Sequence, residues 1–181
     1  TERWMTLPAQ KFLGFSINTT DPDELAQIRA QLEATKPTLL AFDDTTFYEK
    51  VVTGEATMVQ AWDGWCNYGI AEDPNISFVL PEEGSDLWVD TMTVLASSPN
   101  KEAAMAFLNF ILEPEIHGWV AENILYKVPN APAMEALDPS IIDAFPNMGI
   151  TPAELLEQEV AIDLGEFTVE YSRLVTEIQA G

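Results

Sequence analysis

Two short acidic segments of this chain set tryptophan beside aspartate: Ala61-Trp62-Asp63-Gly64-Trp65 and Asp86-Leu87-Trp88-Val89-Asp90. Gly64 closely follows the apolar run 56–62, so Trp62 is expected where a strand ends and a turn begins. In the second segment the alternating side chains of a strand put Trp88 and Asp90 on one face. An indole face beside a carboxylate suits an organic cation. The ring attracts the charge and covers the methylenes, and the carboxylate takes the ammonium N–H groups. A plainer assignment fits the same residues, with Trp62 and Trp88 in the core and Asp90 at a solvated strand end. Spacing alone leaves both readings open.

Composition removes several function classes. With 8 Lys+Arg against 30 Asp+Glu, the net charge is −22, and such a surface repels phosphates, so nucleic acid is not an expected partner. The same charge attracts cations at long range, but it also serves solubility or adaptation to salt. The single cysteine, Cys66, excludes an internal disulfide and a thiolate-rich metal site, and it reads as a small buried residue. The single histidine, His117, lies in a helical pattern without a nucleophile motif, so it reads as a surface or hydrogen-bonded residue rather than a catalytic base or zinc ligand. No cofactor motif is present. No apolar run reaches the roughly eighteen residues of a membrane span. The chain opens Thr1-Glu2-Arg3-Trp4, with no initiator methionine or signal peptide, which suggests a trimmed or truncated product.

The elements that must position these residues alternate between helix and strand. Asp21, Pro22, Asp23 and Glu24 open a helix whose apolar face is Leu25, Ile28 and Leu32, and Pro37 ends it. Strands are expected at 38–42, up to Trp62, at 76–80 and around Trp88, with a helix near 45–52 before Gly54 and a short helix at 66–70. Helix 101–112 is apolar nearly all round and is expected to be buried on several sides. Pro114 begins another helix, to about 123, and Thr151-Pro152-Ala153-Glu154 is a capping box. The last helix lines up Phe167, Tyr171, Leu174, Val175 and Ile178 and exposes Glu166, Glu170, Arg173 and Glu177. This order predicts an α/β fold: a three-layer α/β/α lobe with a mostly parallel sheet.

Residue order carries a resemblance as well. The run Phe12-Leu13-Gly14-Phe15-Ser16-Ile17-Asn18-Thr19-Thr20-Asp21-Pro22 resembles the extracellular spermidine/putrescine-binding proteins of ABC importers. So do Gly54-Glu55-Ala56, Trp62, the stretch from Pro81 through Trp88 and Asp90, Asn100-Lys101-Glu102-Ala103-Ala104, the run 108–115, and Asn123-Ile124-Leu125-Tyr126. The resemblance implies a type II periplasmic-binding-protein fold that closes on its ligand by a hinge, with only the C-terminal part of the family's length present. Residues 1–87 and 137–181 would belong to the C-terminal lobe, and 88–136 would return to the N-terminal lobe. Helix 101–112 would then lack its cover, and self-association through 88–136 is expected.

By position, the resemblance makes Trp62 and Trp88 aromatic walls for a polyamine chain, Asp90 the carboxylate for an amine, and Tyr126 an aromatic lining the cleft. Trp4, Asp63 and Trp65 fall at further candidate positions, with two departures. Acids precede the Leu-Gly-Tyr/Phe-Ser run in polyamine-specific members, but here the matching positions fall near Thr1 and Trp4. Trp65 stands where the putrescine-preferring branch has an acid; Asp63 is the candidate substitute, against which its neighbour Gly64 suggests a turn role instead. The implied role is non-catalytic: capture of a polyamine at the periplasmic or extracellular face of the membrane and delivery to an ABC permease. A monocationic amine or a sugar on the same fold is the alternative. A carbohydrate-active enzyme fragment is a weaker one, because the acid pairs Asp43/Asp44 and Glu82/Glu83 are adjacent and would point opposite ways on a strand.

Overall fold

A computed structural model describes residues 2–180; Thr1, one of the two positions aligned above with family acids, lies outside them. Among the described residues the helices are α1 (Glu2–Phe12), α2 (Pro22–Thr35), α3 (Phe47–Val52), α4 (Asp63–Glu72), α5 (Lys101–Ile111), α6 (Pro114–Ile124), α7 (Ala131–Glu135), α8 (Pro139–Ala144), α9 (Pro152–Leu156) and α10 (Thr168–Ala180). Two short strands, β1 (Asp86–Leu87) and β2 (Glu159–Val160), pair in parallel with Asp86 opposite Glu159. The chain forms two compact units.

The first unit contains residues up to Asp44, Val79–Trp88, and the chain from Thr151 onward. Its core is Ala9, Ile28, Leu32, Leu174, Val175 and Ile178, contributed by α1, α2 and α10. Local chemistry starts these helices where the sequence places them. The Asp21 side chain accepts from the Asp23 N–H at 2.8 Å with Pro22 in the first turn, and Thr151 and Glu154 form the capping box. A buried polar chain ties α1 to α10: Thr6 Oγ1 donates to Gln10 Oε1, Gln10 Nε2 to Tyr171 Oη, and Tyr171 Oη to the Thr19 carbonyl. Each of these polar groups is satisfied inside the core, so the network orients the helices without leaving an unpaired buried group.

Glu159 joins β2 to α1. It accepts from Lys11 Nζ at 2.5 Å, Ser16 Oγ at 2.6 Å and the Ile17 N–H at 3.1 Å. Desolvation raises its carboxyl, but those three donors and the lysine charge outweigh it and bring the carboxyl down to about 2.

The second unit contains Thr45–Phe78 and Val89–Ile150. Its core is Ala121, Val128, Ala133, Leu137, Phe145 and Met148, with α6 packed on α7. His117 is buried with Nδ1 3.2 Å from Asn130 Nδ2, the hydrogen-bonded reading of that residue. Cys66 is half-buried.

Four expectations are corrected. The strands expected at 38–42, before Trp62 and at 76–80 are not formed: these segments meet no neighbouring ladder among the described residues. An alternating or apolar pattern marks a segment fit to pair, but a strand forms only where a second backbone arrives, as 159–160 does for 86–87. The strand around Trp88 stops at Leu87, so the shared face expected for Trp88 and Asp90 is not made by strand geometry. The turn expected at Gly64 is instead the first turn of α4, which starts at Asp63 and extends the helix expected at 66–70 in both directions. Helix α5 has no buried residue: Met105, Phe107 and Phe110 are each at least half exposed, so the burial expected on several sides is absent while the missing cover is observed.

Candidate functional site

In the second unit, four of the expected residues are organised by the N-terminus of α4. Trp62 is its N-cap residue, in an extended conformation (φ −70°, ψ 145°), and Asp63 is the first helical position. An acidic residue is favoured there because the first backbone N–H groups of a helix have no internal acceptor. Burial raises the Asp63 carboxyl above its ordinary range, while the N–H groups of Gly64 and of Asp63 itself and the Lys127 charge pull the other way. Asn147 Nδ2 donates to the Asp63 carbonyl at 3.3 Å.

Around this turn lies a group of aromatic rings. Phe47 meets Trp62 edge-on at 5.8 Å between centroids, and Trp65 packs against Phe47, Tyr48 and Tyr68 at 5.8, 5.5 and 5.4 Å. Such tilted and edge contacts are the favoured ring arrangements, so α3 and α4 hold each other through them. Trp65 is therefore engaged on several sides within the unit.

Tyr126 reaches the same turn from the end of α6. Helix α6 terminates at Leu125 in the left-handed conformation (φ 55°, ψ 33°), and the next residue is Tyr126. Its ring covers Gly64, and its hydroxyl is pushed far above the ordinary phenol range. Burial is the main cause, with the negative charges of Asp63 and Asp90 adding to it; a hydrogen bond from the Trp65 N–H acts in the opposite direction. Asp90 is thus close enough to Tyr126 to act on it electrostatically, and Asp90 itself is exposed. The structure brings Trp62, Asp63, Trp65 and Tyr126 together at the start of α4, and Asp90 is an exposed residue of the same unit.

Trp88 and Trp4 belong to the first unit. Trp88 is half-buried, immediately after β1. Trp4 Nε1 donates to Asp86 Oδ2 at 2.8 Å, which ties α1 to β1. That bond supplies a structural role for Trp4 that its sequence position did not suggest.

Two positions escaped sequence reasoning, Gly64 and Asn67. Asn67 Nδ2 donates to the Leu125 carbonyl at 2.8 Å, and Tyr68 Oη donates to the Ile124 carbonyl at 3.0 Å. The partners lie 58 and 56 positions apart, so no local pattern connects them. Chemically, the second unit offers ring faces, the exposed carboxylate of Asp90 and the half-buried carboxylate of Asp63. Among the described residues no group of three or more His, Cys, Asp or Glu is placed to hold a metal ion. No helix among them is long and apolar enough to cross a membrane.

Comparison with known proteins follows the same direction. Residues 1–144 match the model of the bacterial extracellular solute-binding protein family. The spermidine/putrescine-binding periplasmic protein of Salmonella typhimurium is 29% identical over 175 residues, covering 96% of this chain and 49% of that protein. Its Escherichia coli counterpart is 33% identical over 133 residues, covering 74% of this chain and 38% of that protein. The chain spans about half the length of the curated relatives it matches. Among solved structures, a spermidine/putrescine ABC transporter substrate-binding protein of Streptococcus pneumoniae superposes with a TM-score of 0.85 at 26% identity, over 99% of this chain and 56% of that one. A Treponema pallidum lipoprotein has the same TM-score at 20% identity, a likeness of fold alone. These relatives are named as binding and transport proteins rather than enzymes, and the fold is the type II periplasmic-binding-protein fold, α-rich here with one small parallel pairing. With the family model covering four of every five residues, the chain belongs to the bacterial extracellular solute-binding protein family.

Proposed function

We propose that this chain serves in the solute-binding component of an ABC importer, capturing a polyamine of the spermidine/putrescine class outside the membrane and delivering it to a permease. The observation that carries the proposal is the seating of the Tyr126 ring on the first turn of α4 beside Trp62 and Asp63, with Asp90 exposed in the same unit. Two π faces and a solvent-facing carboxylate are what an alkylammonium requires. Trp62 and Tyr126 supply ring faces to the chain of methylenes, and Asp90 pairs with an amine nitrogen; Trp88 is a further candidate ring on residue order alone. The names of the relatives, which cover spermidine, putrescine and cadaverine, support this ligand class. In the complete protein, residues 1–87 and 137–181 are assigned to one lobe and 88–136 to a segment returning to the other.

One observation favours a second reading, a monocationic amine. Asp63 already faces the N–H groups of its own helix and the Lys127 charge, which leaves Asp90 as the exposed carboxylate of the group. A dication would then have one end without an acidic partner among these residues, and unpaired charge in a cleft is costly. Calorimetric titration of the full natural polypeptide with spermidine, putrescine, choline and a neutral sugar separates the readings. Micromolar binding of spermidine or putrescine supports the first and choline alone the second; sugar binding without amine binding removes both.

A further inference from the structure

Leu125 is the one non-glycine residue of positive φ among the described residues, and a branched side chain in that region is uncommon because its β-carbon crowds the following carbonyl. Such a conformation persists only where the surroundings over-determine it. Here two side chains of α4 do so. Asn67, fully buried, donates through Nδ2 to the Leu125 carbonyl, and Tyr68 donates to the preceding carbonyl of Ile124. The left-handed residue turns the chain sharply at the end of α6, and the residue delivered by that turn is Tyr126. Its ring then lies over Gly64, so closely that a β-carbon at Gly64 would overlap ring carbons Cδ2, Cε2 and Cζ. Farther along, Lys127 Nζ donates to the Met148 carbonyl at 3.0 Å and Asn147 Nδ2 to the Asp63 carbonyl, so both sides of the contact are held to the same loop.

From this geometry we infer that Gly64 and Asn67 are positioning residues for ligand binding: Gly64 leaves the gap that the Tyr126 ring fills, and Asn67 holds the turn that aims the ring into it. The inference rests on the proposed role of Tyr126 as a ligand-facing aromatic. A ring stacked on bare helix backbone beside Trp62 and Asp63 is fixed in plane and height before any cation arrives. A ring displaced by a methyl group at position 64 loses that registration, although its residue type is unchanged.

The test is a double-mutant cycle on the full natural polypeptide, reading spermidine and putrescine affinity by calorimetry and melting temperature on the same samples. Gly64→Ala is expected to weaken amine binding about tenfold or more, as Tyr126→Ala does, and to lower the melting temperature. In the Tyr126→Ala background the added methyl group should occupy vacated space, so Gly64→Ala should lower neither affinity nor melting temperature further. Asn67→Leu, which removes the donor to Leu125 at nearly the same side-chain size and adds no charge, should lower affinity in the folded protein and serves as the second probe if Gly64→Ala does not fold. Gly64→Ala or Asn67→Leu binding amines as the wild type does, while Tyr126→Ala binds weakly, would overturn the positioning roles and leave the site reading intact. Melting temperatures coupled as described with amine affinity unchanged throughout would instead remove Tyr126 from the site and reduce Gly64 and Asn67 to packing.

Discussion

Replacing Glu159 by Gln isolates one electrostatic contribution to the first unit, and its size and sign follow from the contacts. The carboxylate receives Lys11 Nζ at 2.5 Å, Ser16 Oγ at 2.6 Å and the Ile17 N–H at 3.1 Å, and these hold it at about 2 against an ordinary value of 4.5. That difference corresponds to at most about 3 kcal/mol of preference for the charged form in the folded state. The side chain is 32% exposed, so solvent screening reduces the expected contribution to about 1–2 kcal/mol. A carboxyl depressed on folding stabilises above its unfolded value, and the effect fades as pH falls from 4.5 towards 2. Denaturant titration should therefore show Glu159→Gln losing about 1–2 kcal/mol at pH 7 and almost nothing near pH 2. High salt should shrink the pH 7 loss. A loss equal at both pH values would refute the electrostatic account and assign the effect to packing at β2.

Three other outcomes are expected. Asp90→Asn should weaken amine binding by about 1.5–3 kcal/mol in calorimetry, the range for hydrogen bonds to charged groups, with the ligand-free melting temperature nearly unchanged; unaltered affinity would remove Asp90 from the site. Trp62→Leu and Trp88→Leu should each cost about 0.5–2 kcal/mol of amine affinity through the lost ring face, whereas a purely structural tryptophan would lower stability and leave affinity per folded molecule intact. The 181-residue chain alone should self-associate through 88–136, where Met105, Phe107, Phe110, Leu112 and Trp119 are each at least half exposed; light scattering showing a stable monomer at high micromolar concentration would contradict this.

How much of the site was legible depends on the range of the interaction behind each feature. Asp21 caps α2 and Thr151 caps α9 through donors two and three residues away, and the stripe Tyr171, Leu174, Val175 and Ile178 is buried as its spacing predicts. Trp62, Asp90 and Tyr126 were nameable from residue type, neighbouring acid and order along the chain. The seating of Tyr126 on the first turn of α4 was not, because it depends on where α6 ends and how the following turn is held.

Charge, residue order and helix caps are properties of neighbours along the chain, and the sequence by itself determined the family and the helical framework. Tertiary structure decided which extended segments became strands, since 86–87 met 159–160 while 38–42 and 76–80 met no ladder partner among the described residues. It also decided that Gly64 would be a seat for a ring rather than a turn, and that Asn67 would hold the carbonyl of a residue 58 positions away. The physical reason is that a backbone pairing, a close ring contact or a buried amide bond exists only when two distant parts of the chain arrive together. Their energies are of order 1 kcal/mol each, too small to be specified by either partner alone.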